Sequence, residues 1–106
     1  MQIIYSHGKI FDFIDSLDGK SSTRVIQTIK RLGMHGHELR EPHSKSLKGG
    51  LFELRVLGAK QIRIIYAFHN DQAILLNIFI KKVWTIPRKE IEYAKKILEL
   101  YISKHA

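Results

Sequence analysis

Apolar positions along this chain change period once, and the change separates a helical first half from a strand-forming second half. Met1 to Ser6 reads as a short strand, after which Ile10, Phe11, Phe13, Ile14 and Leu17 recur on one helical face. A second helix takes Val25, Ile26, Ile29 and Leu32 as its apolar stripe, with Ser21 or Ser22 as its cap and its end near Gly33 or Gly36. The two helices are expected to form a hairpin. From Leu51 onward, residues 51–57, 61–68 and 73–81 are rich in Ile, Leu, Val, Phe and Tyr. Gly58-Ala59-Lys60 and Asn70-Asp71-Gln72 separate them, which predicts an antiparallel three-strand meander. Pro87 suits the first turn of a last helix whose stripe is Ile91, Ala94, Ile97, Leu98 and Tyr101. The order (β)ααβββα describes an α+β fold, an antiparallel sheet with helices packed on it.

Short loops fix a register, because directly paired residues of an antiparallel ladder share a face and their numbers have a constant sum. In the first hairpin the apolar face closes when Leu54 meets Ile64 and Val56 meets Ile62. That register sets Arg55 opposite Arg63 on the other face. In the second hairpin the corresponding pairs are Phe68 with Ile74, Tyr66 with Leu76, Ile64 with Ile78 and Ile62 with Ile80. Lys81 then joins the face of Arg63, Phe79 lies opposite Arg63 itself, and Tyr66 belongs to the core. Two arginines face to face oppose folding by roughly 0.2–1 kcal/mol. As a planar, permanently charged fork, however, arginine matches a phosphate, and Lys81 and Lys82 lie beside the pair. The alternative is a solvated face on which Glu53 or the last helix neutralises the charges.

At 106 residues the chain fits a single domain spanning 1–106, and 44% hydrophobic with 26% charged residues is ordinary for a globular protein. The absence of cysteine excludes disulfides and thiolate metal sites. The net charge of +8 is unevenly spread. Residues 1–44 carry six basic and five acidic side chains, a net of +1, whereas residues 45–106 carry twelve and five, a net of +7. A polyanion is the partner such a field implies. No apolar run reaches the roughly 18 residues of a membrane span, and Asp12 and Asp15 occupy the stretch where a signal peptide is apolar. A cytoplasmic protein is expected, with no membrane partner.

The segment from Glu41 to Gly50 leads into the basic strand, and Lys45 and Lys48 extend a track for backbone phosphates, while Gly49-Gly50 makes a turn. No phosphate-loop pattern occurs. The six histidines, with His35 and His37 near a helix end and the others scattered, lack metal-ligand spacing, so neither a metal nor another cofactor is expected. Lys95 and Lys96 fit the solvated face of the last helix. Trp84 and Phe79 are candidates for stacking on a base, although Trp84 beside a strand end more often packs.

Lys45-Ser46-Leu47-Lys48-Gly49-Gly50-Leu51-Phe52-Glu53-Leu54-Arg55, then Ile62-Arg63-Ile64-Ile65-Tyr66, Phe79-Ile80-Lys81-Lys82 and Pro87-Arg88-Lys89-Glu90-Ile91-Glu92-Tyr93-Ala94 resemble the toxins of type II toxin–antitoxin systems. They are most similar to the phage-derived, HigB-like branch of the RelE/ParE superfamily, over nearly the whole chain. The resemblance implies a RelE-like fold and a ribosome-dependent mRNA endoribonuclease. It also implies a cognate antitoxin, often with a helix-turn-helix, through which alone operator DNA is met. By position, Arg55 matches a basic strand residue, Arg63 the arginine of an R-x-x-Y strand, and Lys82, with Lys81, a basic residue at the end of the last strand. Arg88 joins Lys45, Lys48 and Lys81 as an RNA contact. The chain departs from some relatives, with Lys45 where they have glutamate and no His-Tyr ending after the last strand. The general base and acid therefore stay open.

RNA carries its own nucleophile, so positioning the 2′-hydroxyl in line with the phosphorus and stabilising the growing charge needs no metal. Arg55, Arg63 and Lys82 suit that role, and Glu53 or a lysine with cationic neighbours is the candidate base. Glu53 is equally readable as a counter-ion for the arginines. Two other readings stay open, a ParE-like inhibitor of DNA gyrase and a non-catalytic binding relative.

Overall fold

A computed structural model describes residues 1–58 and 60–105. Ala59, the middle of the expected Gly58-Ala59-Lys60 turn, lies outside the described residues. The first half folds as β1 (Gln2–Tyr5), α1 (Lys9–Asp15) and α2 (Gly19–His35). Asp18, and neither Ser21 nor Ser22, caps α2. Its carboxylate accepts the Ser21 backbone N–H at 3.1 Å and faces the positive end of the helix dipole. The helix ends at Gly36, one of the two expected positions, where φ is +53°.

The second half contributes β2 (Ser44–Lys48), β3 (Leu51–Val56), β4 (Ile62–His69), β5 (Gln72–Ile80) and α3 (Arg88–Lys104). Among the described residues these strands form one sheet of order β1-β5-β4-β3-β2. β3 to β5 form the expected antiparallel meander and β2 extends it antiparallel, but β1 runs parallel to β5, Gln2 beside Gln72 and Tyr5 beside Leu75, so the sheet is mixed. The parallel edge follows from the route of the chain. After β1 it crosses the sheet as α1 and α2 and re-enters at the opposite edge with β2, a crossover that an all-antiparallel meander would not need. β2 itself is a strand that apolar periodicity does not announce, because Leu47 is its only large apolar residue. Gly49-Gly50 makes the β2–β3 turn with φ of +62° and +82°.

The β3–β4 register is the one expected, Leu54 with Ile64, Val56 with Ile62 and Arg55 with Arg63. In β4–β5 the expected pairs hold for Ile62 with Ile80, Arg63 with Phe79 and Ile64 with Ile78. Beyond Ile65 a bulge shifts the ladder by one, so that Tyr66 meets Leu75 instead of Leu76 and Phe68 meets Ala73 instead of Ile74. The bulge serves two cores at once. Leu75 and Ala73 turn toward α1 and α2 with Leu54, Ile64 and Tyr66, while Leu76 and Ile74 turn toward α3 with Ile65, Ala67 and Phe79. Asn77 at the bulge donates its side-chain N–H to the Glu90 carbonyl at 3.3 Å, which ties the first turn of α3 to the sheet.

The result is a three-layer sandwich. In α1 and α2, Ile10, Ile14, Val25, Ile29 and Leu32 are buried as expected, whereas Phe11 and Ile26 of the expected stripes are exposed and Thr28 is buried in their place. Phe11 instead stacks on Tyr5 at 4.2 Å. The α3 stripe packs as expected, with Ala94 fully buried against the sheet. Leu51, Ile65, Ala67, Leu76 and Phe79 fill the cluster beneath α3, and the strand ends carrying Arg55 and Arg63 are left to a cleft that α3 does not line. No helix is long and apolar enough to cross a membrane among the described residues.

Candidate nucleic-acid interface

Direct pairing across β3 and β4 sets the spacing of this site, since opposed residues of an antiparallel ladder hold their Cβ atoms about 4.5–5.5 Å apart. Arg55 and Arg63 are such a pair, and alternation along β3 puts Glu53 on the same face. One carboxylate oxygen then serves both cations. Glu53 Oε1 accepts from Arg55 Nε at 2.5 Å and lies 3.4 Å from Arg63 Nε. Glu53 is 3% exposed and Arg63 8%, whereas the Arg55 side chain reaches solvent.

Arg63 is held from behind by its own strand. Its Nη1 donates to the Ile62 carbonyl at 3.0 Å and its Nη2 to the Gln61 side-chain oxygen at 2.9 Å. Nε completes no hydrogen bond, so the contact with Glu53 is an ion pair only. Burial pulls the Arg63 pKa below the ordinary guanidinium value, Glu53 works in the opposite direction, and Arg55 adds to the lowering. An arginine remains protonated through such a shift.

Above these groups lies an open cleft of about 670 Å³, lined by Arg55, Gln61, Arg63, Lys81, Lys82, Val83 and Trp84. Clefts of that size accept a small organic ligand. Clefts of about 680 Å³ between β1 and the end of α3 and about 670 Å³ along α2 are as large, so the four cations of its lining and not its size single out the first. Two guanidinium groups and one carboxylate leave one positive charge, and Lys81 and Lys82 add two. Lys81 is fixed by its backbone N–H, which donates to the Gln61 carbonyl at 2.7 Å.

The expected residues are thus partly convergent. Arg55, Arg63, Lys81 and Lys82 share the cleft, and Glu53 is sealed beneath it as the counter-ion of both arginines. Lys45 sits opposite Glu53 on β2, on the same face but outside the lining. Lys48 lies at the far turn, four positions along β3 from Arg55, roughly 13 Å at the usual strand rise. Arg88 is exposed at the start of α3 and does not line the cleft. Gln61 is on the face of Arg63, where pairing with Lys81 places it from the sequence, and its hold on Arg63 is a role that the sequence does not announce.

The two stacking candidates are placed differently from each other. Phe79 is buried beneath α3 and offers no ring to a ligand, whereas Trp84, for which packing is the commoner reading, is 96% exposed. Tyr66 is core, and its hydroxyl shares a hydrogen bond of 2.5 Å with buried Ser44. Histidines serve local packing and hydrogen bonding: His37 packs on Phe68 at 4.0 Å, His43 Nε2 lies 3.3 Å from Arg31 Nη1, His7 Nε2 lies 3.2 Å from the Leu76 carbonyl, and His69 and His105 pack on Tyr101. Lys95 pairs with Glu92 at 3.8 Å on the solvated face of α3, as expected.

A family model described as "Phage derived protein Gp49-like (DUF891)" matches residues 12–99, a span that includes every residue of the cleft. No curated protein matches the chain.

Proposed function

Because the chain belongs to the Gp49-like family of phage-derived proteins, we propose that it is the toxin of a type II toxin–antitoxin system and cuts mRNA on the ribosome. The observation that carries this reading is the pair of guanidinium groups from neighbouring strands, locked on one buried carboxylate and facing an open cleft with positive charge in excess. A buried cluster with surplus charge is costly unless an anion completes it. A phosphodiester matches that need in charge and in its fit to planar forks.

In this mechanism Arg55 and Arg63 grip the non-bridging oxygens of the scissile phosphate, with Lys82 and Lys81 beside them. The adjacent 2′-hydroxyl attacks phosphorus in line, the bond to the 5′ oxygen breaks, and a 2′,3′-cyclic phosphate and a 5′-hydroxyl end result. The cations stabilise the charge that builds on the phosphorane. Glu53 positions the arginines and does not touch the RNA. The ribosome, acting in the cytoplasm, supplies the missing acid and base. The antitoxin carries the helix-turn-helix and makes all operator contact.

One observation favours a second reading. Every titratable side chain lining the cleft is a cation, which also fits a toxin that grips its target without cutting, as a gyrase inhibitor of the ParE kind does, or a non-catalytic relative. Expression in cells lacking the antitoxin tests the site in either case. Arg63→Ala and Arg55→Ala are each expected to relieve growth arrest while circular dichroism stays that of the wild type. In cleavage on ribosomes the loss is expected to be on the order of a hundredfold, as for removal of one charge-stabilising donor. Growth arrest that survives Arg63→Ala would show that the site lies elsewhere.

A further inference from the structure

Trp84 is the side chain that the fold itself leaves unexplained. It is 96% exposed, more than any other large apolar residue among those described, and Val83 beside it is 58% exposed. A tryptophan ordinarily contributes through the 150–250 Å² that an aromatic ring buries, and here that contribution is absent from the free chain. A single exposed apolar residue is common on protein surfaces. This one lines the cleft of Arg55, Arg63 and Lys82. It is also carried on a short connection tied to the sheet at both ends, at Lys81 by the bond to the Gln61 carbonyl and at Glu90 by the Asn77 side chain, which donates to its carbonyl.

We infer that Trp84 is a stacking platform for a base of single-stranded RNA whose neighbouring phosphate lies on Arg55 and Arg63. The inference rests on the reading of the cleft as an RNA site and adds what kind of RNA the cleft takes. A single strand alternates an anion with an exposed π-face, and the cleft pairs two guanidinium groups with an exposed indole. Bases within a duplex are stacked on each other, so a duplex would engage the cations and leave the indole bare. Because every base presents a π-face, the platform tolerates all four, and selection of the cut site falls to the ribosome or to other contacts. A protein partner seated on Trp84 would call for apolar company, which among the lining residues Val83 alone provides, and unless strongly acidic it gives no account of the four cations of the cleft.

The chain has one tryptophan, so its fluorescence reports on residue 84 alone. Full-length protein is titrated with a short single-stranded 2′-O-methyl RNA, which cannot attack its own phosphate, and with an abasic chain carrying the same phosphates. The RNA is expected to quench the fluorescence to saturation and the abasic chain to leave it nearly unchanged. Trp84→Ala, followed by fluorescence anisotropy of labelled RNA, is expected to weaken binding about tenfold, with most of the loss recovered in Trp84→Phe. Equal quenching by the two chains, or full RNA affinity in Trp84→Ala, overturns the inference. In that event lost affinity in Arg63→Ala leaves the RNA site standing and assigns Trp84 to a protein contact. Unchanged affinity in Arg63→Ala, or no binding by the wild type, overturns the RNA site and the platform together.

Discussion

Glu53 is the residue on which the site turns, since one nearly buried oxygen organises two guanidinium groups that would otherwise repel. Removing it strands both cations. Glu53→Ala is therefore expected to lower unfolding free energy by roughly 3 kcal/mol, the lower end for broken buried pairs because Arg55 is partly solvated. Urea denaturation measures it. Replacing all three residues by apolar ones of similar volume is expected to restore stability, because buried ion clusters seldom outperform apolar packing. A triple variant of full stability without toxicity would show that the charges are kept for function. The Arg55–Arg63 pairing was legible in the sequence because a short hairpin loop and apolar matching left one register. Which of the two stacking candidates is covered was not, because the helix that covers Phe79 and bypasses Trp84 is specified by contacts distant in sequence.

At the level of elements, the sequence displays those whose apolar period is uninterrupted. The stripe of α3 and the β3–β4 register stand as expected, since each has one buried face or one consistent set of partners. The bulge in β5 is hidden because both faces of that strand are covered, so its run of Ile, Leu and Phe carries no alternation to betray an extra residue. β2 is hidden for the opposite reason. Ser44, Lys45, Ser46 and Lys48 look like a loop, and the strand exists through its ladder to β3 and the buried Ser44–Tyr66 hydrogen bond. How tightly α3 seats on the sheet can be probed at Ala94, which has no exposed surface. Ala94→Leu is expected to cost about 1–3 kcal/mol by overpacking, read as a lower thermal midpoint. A neutral effect would mean that α3 rides loosely on the sheet.

On the scale of the whole molecule, the helices decide where the charge can act. Two helices cover one face, α3 covers part of the other, and the remainder of that second face is the strongly basic end of the sheet. The charge asymmetry between the two halves of the chain was plain in the sequence, but the cleft needed the placement of α3. The claim that this end holds a scissile phosphate is tested most directly by mapping transcript 5′ ends after induction in cells without the antitoxin, wild type beside Arg63→Ala. New 5′-hydroxyl ends within translated regions, present for the wild type and absent for Arg63→Ala, are expected. Intact transcripts accompanied by broken DNA, or the same cuts from both proteins, would contradict it.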